Sequence, residues 1–434
     1  MSDGAPAAVP DGEVDGYRDR FLPVSSWALY DFANTLFSAM VVTLAMPKVL
    51  GEATGRQMPM ALASAAALLL SAFAGPFLGA LADVTGSTKL QVVVWSLVCC
   101  ACSAALAFVP EGNPFLLAAI FTLAYAAYNV AISLYDAFLP EVASPGRMGF
   151  VSGIGVGVGY LGALLGFPVA GWMKDRFAYE WIFAAAGGLM LLFSVPFVLF
   201  VRERRTVRTE RFTLRLGMEE FRQAHRTIRS LPKRPALLLF LLGNLLAVDS
   251  LNAMIQWVGQ FFRKAWNAEE NTVIALLTGL SLSAFLLGVV AGKASDRLGA
   301  GRVLFAAVAS LAAVALVDMA VPNRDIALWT TILAGGLGAS GIWLASRRIL
   351  VDLVPVERLG EYMGILGITR KASIFGTITL ASLADAFSDA LGDSLGWRLA
   401  VGFLALPLAG AFLCLEGSRR AALRERSAAP SSTG

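Results

Sequence analysis

Histidine and cysteine are scarce in this chain, and their scarcity excludes several chemistries at once. The one histidine, His225, falls in a basic stretch between hydrophobic runs, so neither a His-based metal cluster nor a His acid–base relay can be built from the sequence. Cys99, Cys100, Cys102 and Cys414 all lie in apolar runs. Their spacings fit neither a zinc site nor a redox pair, and they read as small buried thiols. Charge is thin as well, 15% of residues against about 25% in soluble domains. No G-x-x-x-x-G-K-[ST] loop occurs, which argues against ATP as a direct energy source. The acidic opening "MSDGAPAAVPDGEVDGYRDR" has no apolar core of the kind a cleavable signal needs. An intramembrane enzyme would require a metal cluster or an activated nucleophile, so the chain is read as a non-enzyme with no cofactor.

What is abundant is apolar length. Of 434 residues, 57% are hydrophobic, and the mean hydropathy is +0.68. Runs near 20 residues, enough to cross a bilayer as helix, occupy 25–48, 58–82, 90–110, 114–139, 149–172 and 181–201. Six more follow at 235–262, 271–296, 302–320, 326–352, 360–386 and 396–416. The expected fold is an all-α polytopic membrane protein of twelve transmembrane helices in two pseudo-symmetric six-helix bundles. The expected divisions are a disordered cytoplasmic end (1–24), a first bundle (25–201), a basic linker (202–234), a second bundle (235–416) and a disordered cytoplasmic tail (417–434).

Lysine and arginine set the orientation. With both termini inside, the inner side holds 25 basic residues and the outer side eight, while Arg370 and Lys371 fall within a span. In the linker, Leu214, Met218, Phe221, Ala224, Ile228 and Leu231 recur at helical spacing among arginines. That pattern predicts an amphipathic helix lying on anionic lipid headgroups. Spans on both sides tether it to the bilayer, so nucleic acid is not expected as a partner.

The two halves repeat. "GPFLGALADVTGSTK" follows the second span and "GVVAGKASDRLGAGR" the eighth, which sets Asp83 and Asp296 213 residues apart. "PGRMGFVSG" (145–153) and "VERLGEYMG" (356–364) correspond at an offset of 211. Two loops sharing nearly one offset point to a duplicated six-span unit. The series Gly79, Leu81, Ala82, Asp83, Gly86 and Lys89 resembles the loop motif of the major facilitator superfamily. The second copy keeps Gly292, Asp296, Arg297, Gly299 and Arg302, while Val84 stands in the first copy where the motif usually has arginine. The resemblance implies that Asp83, Asp296 and Arg297 brace and gate the cytoplasmic side. It also implies that spans one, four, seven and ten line a central cavity flanked by span eleven, and that the glycine-rich span five slides against span eight.

Polar residues form stripes on several spans. In "SSWALYDFANTLFSAMVV", Asp31, Asn34, Thr35 and Ser38 fall at i, i+3, i+4 and i+7, one face of a helix. An ionised Asp facing lipid at mid-bilayer costs roughly 2.5–3.5 kcal/mol on insertion scales, so this face should meet water or a basic partner. Span four carries Tyr125, Asn129, Ser133 and Asp136; span seven carries Asp249, Asn252, Gln256 and Gln260; span eleven carries Arg370, Ser373 and Thr377 beside Lys371. The candidate cavity for substrate or coupling ion is therefore Asp31, Asn34, Thr35, Ser38, Tyr125, Asn129, Asp249, Asn252, Gln256, Arg370, Lys371 and Ser373. Asp31 and Asp249 are the candidates for titration. Asp136 and Arg348, 212 residues apart, are candidates for an ion pair that closes the inner side.

Trp27, Tyr30, Asp31, Phe32, Ala33, Asn34 and Phe37 resemble the first-span signature of the vacuole-effluxer-like branch of that superfamily, which includes a fungal vacuolar amino-acid exporter. "YDAFLPEVA" (135–143) and "SRRILVDLVPVERLGEYMGILG" (346–367) look like the same branch, although Asp136 replaces its usual asparagine. The resemblance implies an alternating-access secondary transporter that exports a small polar or zwitterionic solute such as an amino acid. It would be driven by a proton or sodium gradient and would act as a monomer in a bacterial inner membrane. Two other readings stay open: an exporter of drugs or lysolipids, suited by Trp257, Phe261 and Phe262, and a non-transporting receptor.

Overall fold

A computed structural model describes residues 17–110, 112–144, 147–203, 218–219, 222, 226–354, 362, 366–367 and 374–428. Among the described residues all regular structure is helical. The first half holds α1 (Phe21–Thr54), α2 (Met58–Thr85), α3 (Thr88–Leu106), α4 (Pro114–Asp136), α5 (Met148–Lys174) and α6 (Trp181–Phe200). The second holds α7 (Pro235–Trp266), α8 (Glu270–Leu298), α9 (Ala300–Ala320), α10 (Arg324–Val351), α11 (Phe375–Leu391) and α12 (Asp393–Glu425). All but the 17-residue α11 are long and apolar enough to cross a membrane. Two helices widen to π-helical turns, α1 at Ser38–Ala45 and α10 at Thr331–Gly335.

Local chemistry sets where these helices begin and end. Proline occupies the first turn of α2, α4 and α7, where its missing N–H leaves no broken bond. Asn113 and Asn323 cap α4 and α10 through their side-chain oxygens. The repeated loop glycines Gly86 (φ 59°) and Gly299 (φ 90°) both adopt backbone angles that other residues avoid. In the first copy, Lys89 donates to the Val201 carbonyl at 2.6 Å, and Glu203 accepts the first N–H groups of α3.

Several bounds differ from the hydrophobic runs. α1 starts at Phe21 and ends at Thr54; in the eleventh span Tyr362, Leu366 and Gly367 are helical and the continuous described helix, 375–391, runs past the expected end at 386. Tyr17, within the stretch expected to be disordered, is buried; its hydroxyl donates to Phe200 O and accepts from Arg202 N, both at 2.8 Å. The last helix runs on to Ala428 through residues expected as a tail, because Glu416 pairs with Arg419 and Arg420 one turn away. Leu214, Phe221 and Ala224 of the expected linker helix lie outside the described residues; Met218 and Ile228 are exposed and Leu231 is buried.

The packing repeats with the sequence. In the first half α1 packs on α5 and α6, α2 on α4, α3 on α4 and α6. Adding six to each number gives the second half: α7 on α11 and α12, α8 on α10, α9 on α10 and α12. The halves meet through α5 with α8, α2 with α11, and α1 with α7, a set that the same step maps onto itself. Leucines such as Leu192, Leu199 and Leu413 stay more than half exposed on the outside, where a bilayer would cover them.

Candidate functional site

Two faces of the molecule need names. The terminal face carries the start of α1 with the ends of α4 and α6: Asp19 N donates to Val142 O, and Tyr17 bonds Phe200. The distal face carries the ends of α1, α5, α7 and α11.

Asp31 and Thr35 do not simply face an open chamber. They lie over the glycine face of α5, where a Cβ at Gly159 would stand 3.0 Å from Thr35 Oγ1 and 3.3 Å from Asp31 Oδ2. Gly155 makes room for the Trp27 ring, and Gly162 and Gly166 admit the backbone of α1 at Phe32 and Leu36. The sequence reading paired these glycines with span eight. Gly157 and Gly171 do face α8, but the tightest approaches are to α1. Asp31 remains half-buried and acts electrostatically on the phenols of Tyr128 and Tyr135 from α4 and Tyr160 from α5. It therefore points into protein rather than lipid. Asn34 is fully buried, and neither of its amide atoms has a hydrogen-bond partner.

On α4, Tyr125 stacks between Phe121 and Tyr128, with centroids 5.6 and 5.7 Å apart, and Phe37 of α1 lies 5.4 Å from Tyr128. Ser38 adjoins the same phenol. Asn129 Nδ2 turns back to Tyr125 O at 2.8 Å. Asp31, Thr35, Ser38, Tyr125 and Asn129 thus fall around the α1–α4–α5 contact.

Asp249 takes a different part. It is buried, and its Oδ2 accepts the Gly376 N–H at 2.7 Å, capping the described start of α11. The close approach needs Gly376, since a Cβ there would stand 2.8 Å from Asp249 O. Farther along α7, Gln256 Nε2 donates to Ser64 Oγ of α2 at 3.1 Å and Gln260 Nε2 to Pro47 O of α1 at 3.3 Å. Gln256 is therefore a bond between the halves. Asn252 is half-buried on the same helix. Arg370, Lys371 and Ser373 lie outside the described residues.

The distal face is closed by further bonds between the halves. Asp385 of α11 accepts the N–H groups of Gln57 and Met58 at the start of α2, and Arg56 pairs with Asp389 at 2.5 Å. Tyr179 donates to Glu270 Oε1 at 3.0 Å; Glu270 also pairs with Arg263 at 2.8 Å. At the terminal face, Arg347 of α10 donates to Ser152 of α5. Among the described residues no ion pair joins Asp136 to Arg348; both are exposed, as are Asp296 and Arg297. The helical backbone at Asp83 is described but its side chain is not.

Sequence reasoning missed Asp385 and Asp318. Asp318 is a single acidic residue at the end of its apolar run, and Asp385 closes another run with Asp389 one turn on. Asp318 is 2% exposed and accepts from Thr331 Oγ1 at 3.3 Å.

The sequence model described as Major Facilitator Superfamily matches this chain twice, over residues 29–264 and 242–432. The chain belongs to that superfamily. It is a multi-pass membrane transporter of the major facilitator kind, not an enzyme. Among curated relatives, it is 26% identical over 384 residues to the uncharacterized MFS-type transporter YxiO of Bacillus subtilis (strain 168), covering 83% of this chain and 88% of that one. An uncharacterized protein of Aquifex aeolicus (strain VF5) is 25% identical over 393 residues, covering 90% and 96%. In structure the chain resembles a point mutant of the nucleoside transporter NupG, with a TM-score of 0.72 at 12% identity over 91% of this chain and 99% of that one. It also resembles a D-xylose-proton symporter, with a TM-score of 0.65 at 13% identity over 90% and 95%. At these identities the likeness is one of fold.

Proposed function

We propose that this transporter exports a small zwitterionic or polar solute, such as an amino acid, by alternating access, and that an ion gradient drives it. The terminal face is the cytoplasmic one, as the basic-residue asymmetry indicates. The chain sits in the vacuole-effluxer-like branch, whose first-span residues from Trp27 to Phe37 it resembles.

The observation that carries this reading is Asp31. It is a carboxylate in the first third of α1, half-buried and turned among the phenols of α4 and α5. In the proposed cycle it pairs with a solute ammonium, and the buried Asn34 amide lies on the same helix one turn on. A solute carboxylate would then be met by Arg370, whose planar guanidinium suits it. Trp257, Phe261 and Phe262, which suit an amphiphile exporter, are at most 2% exposed, and Trp257 and Phe261 line the small cavity of the second bundle.

Counterflow in proteoliposomes tests the proposal. Vesicles loaded in turn with an amino-acid panel and with hydrophobic cations are expected to exchange the former. Asp31→Asn and Arg370→Ala are each expected to slow exchange at least about tenfold, the weight of one charge-assisted contact. Exchange of hydrophobic cations alone, or undiminished exchange in both variants, overturns it.

A further inference from the structure

Asp318 lies in the last turn of α9, away from the stripe that holds Asp31, and is almost fully enclosed. The Thr331 hydroxyl reaches both of its carboxylate oxygens, at 3.3 and 3.5 Å, and Thr331 opens the widened turn of α10. The cation that acts on it is Arg398 of α12, two of whose nitrogens are engaged elsewhere. Nε bonds Asp318 O at 3.2 Å and Nη2 bonds Met319 O at 2.9 Å, holding the carbonyl end of α9, while the guanidinium stands over the Trp266 ring at 5.2 Å. Arg398 thus acts on the carboxylate through space only. Thr331 and Arg398 are the polar and charged groups that face Asp318 from the helices packed on it. The remaining wall is apolar, from Met254, Trp257 and Val258 of α7 to Leu280 of α8 and Leu380 of α11. These residues bound a cavity of ≈ 50 Å³. That exceeds the roughly 10–15 Å³ one water needs, and a water there has the Asp318 carboxyl and the Thr331 hydroxyl as polar partners.

An ionised carboxylate offers about four acceptor positions. Here one hydroxyl serves them, and a buried charge so poorly served is costly. The carboxylic acid is served well, because the threonine hydroxyl can reverse its role and accept from the acid O–H. Both charge states therefore have a partner in the same place. A sodium ion is excluded on different grounds. It needs a shell of several oxygens, the two nearby carbonyls are taken by Arg398, and the guanidinium repels it.

We infer that Asp318 and Thr331 form a proton-binding site inside the second bundle, which exchanges its proton with water in the adjoining cavity. Uptake forms an O–H bond on the carboxyl, and release returns the proton to cavity water. Because α9, α10 and α12 meet at this point, the charge state of Asp318 changes how strongly Arg398 is held at the joint between α9 and α12. As the ion site of the coupling proposed above, it rests on that reading.

The test reads the proton directly and needs no substrate. Infrared difference spectra of the reconstituted protein, taken between acidic and mildly alkaline buffer, are expected to show a carboxylic C=O band that titrates. Asp318→Asn should remove that band, and Thr331→Val, which keeps the shape of the wall, should move its midpoint by about one pH unit, the weight of one hydrogen bond. A spectrum that loses no titrating carboxyl band on Asp318→Asn overturns the inference, as does the absence of any titrating carboxyl band. If counterflow fails for every solute while this band behaves as expected, the transport reading falls and the proton site stands.

Discussion

The Asp385 carboxylate of α11 accepts the backbone N–H of Met58 in α2 at 3.0 Å, so one bundle caps a helix that belongs to the other. The neighbouring Gln57 N–H reaches the same carboxylate at 2.9 and 3.0 Å. Opening the distal face requires these bonds to part and leaves the first turn of α2 uncapped.

Asp385→Ala should therefore favour the distally open state. Loss of a cap costs about 1 kcal/mol, roughly a fivefold change in population. Ser64→Cys, placed in a background without the four native cysteines, reports it: labelling by an aqueous thiol reagent should quicken about fivefold on adding Asp385→Ala. An unchanged labelling rate would show that the cap does not hold the face shut.

The carboxylate of Glu270 serves Arg263 and Tyr179 together. Removing it as Glu270→Ala leaves a guanidinium that is 11% exposed with the Gln260 amide oxygen but no counter-charge, and should weaken distal closure by about 2 kcal/mol. Adding Arg263→Ala should restore part of the loss, because the stranded charge is then gone. The same cysteine reporter reads both, and a double variant worse than the sum of its parts contradicts this account.

The glycine face of α5 gives a matched pair. Gly162→Ala drives a methyl into the Phe32 carbonyl of α1 and should destabilise the protein by about 1–3 kcal/mol, seen as a lower thermal midpoint in detergent. Gly153→Ala meets nothing within 4 Å and should be neutral or slightly stabilising. Equal effects at the two positions would mean that the α1–α5 approach is not tight.

Asp249 separates a capping role from a solute-binding one. Asp249→Asn keeps an acceptor for the Gly376 N–H and should leave the thermal midpoint nearly unchanged, whereas Asp249→Ala should cost about 1 kcal/mol. Equal midpoints for the two variants would count against the cap.

How much of this could be seen in the sequence depends on how far apart the interacting residues lie along the chain. The spans could be seen because bilayer thickness imposes one apolar length on each of them. The loop glycines Gly86 and Gly299 could be seen because a tight reversal needs that residue at each copy. Asp31 and Thr35 stood out because a helical stripe is local. Their seat against Gly159 did not, since nothing in either segment states which helix meets which. Asp385 and Asp318 were missed for the same reason: their partners, Gln57 for one and Thr331 for the other, come from other helices, and neither segment states that the two meet. For Asp249, its depth along α7 could be read from the apolar run, but not the helix end that would use it.

The wide turn at Ser38–Ala45 has a geometric consequence for α1. One additional residue in a turn rotates everything beyond it by about 100° relative to an uninterrupted α-helix. The azimuth of Asp31 and Asn34 is thereby uncoupled from that of Pro47 and Gly51, which meet Gln260. A single rod can so address α5 with its lower half and α7 with its upper half. A one-residue deletion in that stretch would swing Pro47 and Gly51 about a quarter-turn off that contact.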